Sequence, residues 1–157
     1  MRRGKTRTLG DIRRRKPMNH FTLFAHGEAF DADAFVSKTS LRFDYVWRRG
    51  DQRRYACVSS KHPTSGVEKV LGDGAAIPLP KQQHIAIEFL SHNREALLEL
   101  ADQAGVDTFV LGLHYEIKVE EGIVGVCMSP SDELMKLALD LRITPNFYVV
   151  LDRSGVA

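Results

Sequence analysis

Cysteine is scarce: the 157 residues hold two, Cys57 and Cys127, with no CxxC pair and no zinc-like spacing. That excludes a disulfide framework and a cysteine-built metal site, and it fits a reducing compartment. Long apolar runs are missing as well. None approaches the ~20 residues needed to cross a bilayer, and no secretory apolar region stands near the N-terminus. The expectation is a cytoplasmic protein without membrane contact. The signatures of the common enzymes are also absent: no GxSxG elbow, no Walker loop, no GxGxxG and no HExxH. What remains is ordinary globular material, 43% apolar and 27% charged, long enough to bury a core without staples and most simply one domain.

The charge is unevenly placed. A formal net charge of +2 conceals a basic arm, residues 1–17, with eight Lys or Arg against Asp11 alone, a net of +7. The remaining residues hold fourteen basic and nineteen acidic side chains, a net of −5. A basic arm on an acidic body points to nucleic acid through residues 2–16, to an anionic surface, or to contact with the body itself. It also reads as a disordered tail, or as an over-extended start ahead of Met18. Its only large apolar residues after Met1 are Leu9 and Ile12, so it lacks the spacing of an organelle presequence. The expected organisation is an arm at 1–17, one domain at 18–152 and a tail at 153–157.

The organising stretch is Val106 to Met128. Phe109, Leu111, Leu113, Tyr115, Ile117 and Val119 alternate with Val110, Gly112, His114, Glu116, Lys118 and Glu120, the period of a half-buried strand. Glu121-Gly122 offers a tight turn, after which Ile123 to Met128 would return as a second arm. Gly112, Gly125 and Cys127 on the opposite face leave room for a helix or another backbone, or simply mark a semi-exposed sheet face.

Before this, His20 to Ala25 alternates as a first strand, and Asp31 N-caps a short helix ending near Ser40. A second strand is expected from Arg42 through Trp47, broken by Gly50-Asp51 and resumed at Tyr55 to Ser59. Lys61 to Pro80 reads as loop, with Val67 to Leu71 as a short edge strand or a turn of helix. Lys81 to His92 reads as a helix with Ile85, Phe89 and Leu90 inward, although Ile85, Ile87 and Phe89 also fit a strand. Asn93 is expected to cap a helix over Glu95 to Ala104, ended by Gly105. Ser131 or Ser129 opens a last helix buried through Leu134, Leu137, Ala138 and Leu141. Pro145 then closes the connection to a strand with Phe147, Val149 and Leu151 inward.

The segments starting at Asp33 and Asp132 echo each other, which suggests two β-α-β units. The fold class expected is α+β: a single domain, a mainly antiparallel sheet with helices on one face, and two ferredoxin-like β-α-β units. The succession FDADAFVSKTS, WRRGD and SPSDELMKLALDLRITPNFYV resembles the uncharacterised family DUF 4279 across most of residues 20–150. Members often carry Pro-Thr where this chain has Phe43-Asp44. The resemblance implies a fold and no chemistry.

Three groups of residues stand out. Arg48, Arg49, Arg53 and Arg54, flanked by Trp47 and Tyr55, could grip phosphates or carboxylates and stack on bases, or could pair with the acidic body. His84, Glu88 and His92 fall at i, i+4 and i+8, a spacing that on one helix could hold a divalent metal or form a solvated face. His20, His26 and His114 would form a cluster if strand order brought them together, and otherwise serve as hydrogen-bonded structural histidines. No cofactor is implied. The leading expectation is a non-catalytic interaction module that binds a protein partner or its own copy. An immunity-type domain neutralising a basic target is one concrete form. The alternatives are nucleic-acid or anionic-ligand binding through the arm and the Arg48–Arg54 loop, and a histidine/carboxylate enzyme using metal.

Overall fold

Alternation decides the first strand. Phe21, Leu23 and Ala25 lie buried on one face of β1 (His20–Gly27), because alternate side chains of a pleated strand share a side. The computed structural model describes residues 20–53, 60–72, 78–118 and 129–152. Antiparallel partners widen that face in both directions. β3 (Ser65–Leu71) sets Leu71 beside Phe21 and Val67 beside Ala25, and β4 (Thr108–Lys118) sets Leu113, Leu111 and Phe109 beside Phe21, Leu23 and Ala25. The shared face expected of Phe109, Leu111 and Leu113 is borne out by the register, while Val110 on the other face is buried as well. The turn at Glu121-Gly122 and the return arm lie outside the described residues.

The four described helices pack on this face: α1 (Ala32–Val36), α2 (Leu79–His92), α3 (Arg94–Ala101) and α4 (Asp132–Asp140). They bring Phe35, Leu90, Leu97, Leu100, Leu134 and Ala138 into one core with the strands. Each fully buried Leu or Phe stabilises by about 1.5–3 kcal/mol relative to exposure. Local chemistry fixes the helix ends. Asp31 Oδ1 accepts the Ala34 N–H at 2.9 Å and Ser131 Oγ accepts the Leu134 N–H at 3.2 Å, each satisfying an orphan donor of a first turn. Gly105, at φ +84°, supplies the left-handed residue beyond α3.

The sheet order is β2-β3-β1-β4-β5, with β2 at Tyr45–Trp47 and β5 at Thr144–Asp152. All neighbours are antiparallel except β4 and β5. This is the mainly antiparallel α+β sheet, helices on one face, that the sequence led us to expect. Over residues 20–118 the connectivity is β-α-β-β-α-β: β1-α1-β2 brackets β3, and β3-α2-α3-β4 brackets β1. The second interleaved unit therefore differs from the one expected at Asp132. There, α4 falls in chain order between the neighbouring parallel strands β4 and β5.

Several local expectations need correction. Val67 to Leu71 belongs to an interior strand rather than an edge, flanked by β1 and β2. Lys69 hid it by interrupting the apolar face. Its half-buried side chain lies on the helix side opposite Leu23, and its ammonium reaches Asp44 at 3.1 Å. β2 is shorter than expected and starts at Tyr45, while Phe43 packs against the core ahead of it. α2 buries Ala86 and Leu90 more deeply than Ile85. The Asn93 side chain does not cap α3; its amide donates to the Phe89 carbonyl and closes α2 instead. Pro145 lies within β5, tolerated there because no described strand pairs with the outer side of β5. Phe147 is 47% exposed rather than inward, for the same reason: no described strand or helix lies beyond it.

Candidate functional site

The strand residues that do not face the helices make up the second face of the sheet, and the registers arrange them in rows. Trp47, Gly66, His26 and Thr108 form one row; Tyr45, Glu68, Phe24, Val110 and Thr144 the next. Val70, Thr22, Gly112 and Asn146 follow, and His20, His114 and Tyr148 make the last. Strand order thus separates the three histidines. His20 and His114 are direct partners, whereas His26 lies six residues along β1, about 20 Å away at ~3.3 Å per residue.

The last row is a ladder of rings. His20 stacks on His114 at 4.8 Å and 10°, and His114 on Tyr148 at 4.7 Å and 12°. Gly112 makes this packing feasible. A Cβ there would stand 3.0 Å from the Tyr148 ring, 3.2 Å from His114 and 3.3 Å from Phe24, so the space that the sequence left open is filled by rings rather than by a helix. Burial lowers the His114 pKa to about 4, with the neighbouring His20 charge adding to the shift. Parallel rings point their nitrogen lone pairs side by side rather than at one point, so the pair is poorly set to chelate a metal.

At the opposite end Trp47 stacks on His62 at 4.9 Å and lies 5.5 Å from Tyr45, whose hydroxyl is 3.3 Å from His62 Nε2. The Trp47 indole covers Gly66, where a Cβ would meet Cζ2 at 2.2 Å. Its Nε1 is buried with no hydrogen-bond partner among the described residues. His62 is pushed toward the neutral form by burial, then by Arg53 and His26, against the opposing pull of Asp51. Burial does the same to His26, opposed by Asp107, and its Nδ1 lies 3.4 Å from the Thr64 hydroxyl.

The arginine loop is tied to the body. Arg48 donates through Nε and Nη2 to both carboxylate oxygens of Asp33, at 2.6 and 2.9 Å, and Arg49 donates to Glu28 at 3.0 Å. Asp33 thereby raises the Arg48 pKa further above its usual value. Trp47 is buried, Arg53 pairs through its backbone with Ser60, and Arg54 and Tyr55 lie outside the described residues. Four ring residues, Trp47, Tyr45, His62 and His26, and two arginines therefore lie at this end, but the two arginines already serve acidic partners.

The helical trio does not converge. His84 Nε2 stands 3.3 Å from Glu88 Oε1, while His92 Nδ1–H donates to the Glu88 backbone carbonyl at 2.7 Å, turning that ring onto its own helix. Among the described residues no group of three His, Cys, Asp or Glu side chains is placed to share a metal ion. A cleft of about 820 Å³ between α1 and α3 is lined by Phe35 and Leu98 and by Glu95, Glu99 and Asp102. It is open and remote from the rings.

One surface feature was not expected from the sequence. The exposed large apolar side chains of the described residues, Leu139, Phe147 and Tyr148, all belong to the α4–β5 unit. Among the described strands β5 is the last in the sheet order, and residues 144–151 carry no charge. The signal was present as the uncharged run Thr-Pro-Asn-Phe-Tyr-Val-Val-Leu, but only the strand order puts that run at an edge. Among the described residues no helix is long and apolar enough to cross a membrane. Comparison of the chain with protein-family models, with curated proteins and with solved structures finds no match in any of the three.

Proposed function

We propose that the protein is a small, non-catalytic cytoplasmic interaction module that binds a protein partner by strand addition along β5. The observation supporting this reading is the edge itself. Nine residues, Thr144–Asp152, lie at the end of the sheet without a charge before Asp152, and both Phe147 and Tyr148 are exposed. Natural edge strands are commonly blunted by charge, bulges or short length; here Pro145 near one end and Asp152 at the other are the blunting residues. An added strand would satisfy the outward backbone groups, while Phe147 and Tyr148 would supply side-chain contact on the two faces. The immunity-type version, with the acidic body set against a basic target, is compatible with the same edge, and the resemblance to DUF 4279 adds no chemistry to it. Affinity capture from a lysate at moderate salt is the test. A stoichiometric partner retained by the wild type and lost by Asn146→Lys, which charges the edge, is expected; background recovery from both would count against the reading.

Binding of nucleic acid or another polyanion is a second reading, favoured by the composition of residues 2–16. It draws less on the loop, since Arg48 and Arg49 already have carboxylate partners. Retention on a polyanion matrix should fall steeply with salt and disappear when residues 1–17 are deleted; unchanged retention would remove the arm's role.

A further inference from the structure

We infer that the strand added to β5 is the β5 of a second copy of this chain, antiparallel and centred on Tyr148. The inference rests on the strand-addition reading and names its occupant. Its starting point is the ring ladder. His20, His114 and Tyr148 occupy successive strands β1, β4 and β5, and their centroids repeat at 4.8 and 4.7 Å. That repeat matches the spacing of neighbouring strands, about 4.7–4.9 Å. The ladder ends at Tyr148, on the edge strand and 38% exposed. One more strand carrying a ring at the right register would continue it.

The chain's own β5 supplies that ring. Tyr148 is the midpoint of Thr144–Asp152, so a twofold axis through it pairs all nine residues, and any shifted register leaves some of them overhanging. Residues directly opposite in an antiparallel pair share a face. Tyr148 therefore meets Tyr148 of the copy on the ring-bearing side, giving a six-ring ladder across the axis. No like charges meet, because Asp152 falls opposite Thr144. Pro145 falls opposite position 151, near the end of the pairing, where its missing N–H disrupts the ladder least. The contact is self-complementary, as a twofold interface must be.

Its size sets the expected strength. Nine residues span about 30 Å, and a single strand edge with its flanking side chains covers less than the ~800 Å² per partner of a standard stable interface. Association is accordingly expected in the micromolar range, and the measurement belongs at about 100 μM, well above that.

Sedimentation equilibrium on the full chain in reducing buffer gives the first readout. The expected mass is twice the 17.7 kDa of the chain, falling to the single mass for Asn146→Lys, with circular dichroism and Trp47 fluorescence unchanged to show that the variant folds. The second readout is register. The thiol introduced by Tyr148→Cys should form a disulfide with its own counterpart under mild oxidation, identified by mass spectrometry of the linked peptide, whereas Leu139→Cys, exposed on α4, should not. A monomer at 100 μM, an Asn146→Lys dimer, or equal cross-linking of both cysteine variants would each overturn the second-copy assignment. A monomer whose β5 still captures a different protein in an Asn146-dependent way would overturn the assignment alone and leave strand addition standing. A monomer with no β5-dependent binding would remove both.

Discussion

Acid should weaken this protein through one imidazole. His114 sits in the ring ladder between His20 on β1 and Tyr148 on β5, and burial there disfavours its charged form. Its pKa is about 4 in the folded chain, against about 6.5 for an unperturbed histidine in the unfolded chain. Above pH 6.5 both states hold the neutral ring, and the group's contribution is constant. Between pH 6.5 and 4 the unfolded chain binds the proton and the folded chain does not, so stability falls as the pH falls. Below about 4 the loss is complete. At about 1.36 kcal/mol per unit the whole shift sets an upper bound of roughly 3 kcal/mol, and solvent screening of the partly exposed ring reduces it to about 1–2 kcal/mol. His114→Phe keeps a flat ring in the stack but cannot take a proton. Urea unfolding followed by circular dichroism, at steps from pH 7.5 to 4, should show the wild type losing about 1–2 kcal/mol more than the variant over this window. His26 and His62, remote from the substitution, are the same in both proteins and cancel in the difference. Parallel stability curves for the two proteins, or an NMR titration placing the His114 ring near 6.5, would refute the reasoning.

Other expectations test single contacts. Gly66→Ala forces a Cβ into the Trp47 indole, and overpacking of this kind costs about 1–3 kcal/mol; the melting temperature should drop and Trp47 emission should shift, and an unchanged spectrum would mean that the indole does not cover Gly66. Asp31→Ala removes the α1 cap and should cost about 1 kcal/mol in urea unfolding. Arg48→Ala, by contrast, removes a solvent-exposed pair with Asp33 and should leave the melting temperature unchanged within error. Excess zinc should not raise the melting temperature of the wild type above that of His92→Ala, since His84, Glu88 and His92 do not converge; a wild-type-specific rise would restore the metal reading.

The sequence by itself determined the elements whose cause is local. The two-residue period at Phe21, Leu23 and Ala25, and again at Phe109, Leu111 and Leu113, is set by the pleat of one strand, and Asp31 and Ser131 cap helices three residues away. Those features suffice for an α+β class with helices on one side. Tertiary structure decided everything that depends on which strand lies beside which. Lys69 broke the pattern of β3, and only its reach to Asp44 explains how a cationic side chain occupies the helix side of an interior strand. The pairing of Arg48 with Asp33, the parting of His26 from His20 and His114, and the placing of Tyr148 at an exposed edge follow from register between distant segments. Such register is fixed by burial across the whole core, and a one-residue slip would reverse every face, so no short stretch of the chain can encode it alone.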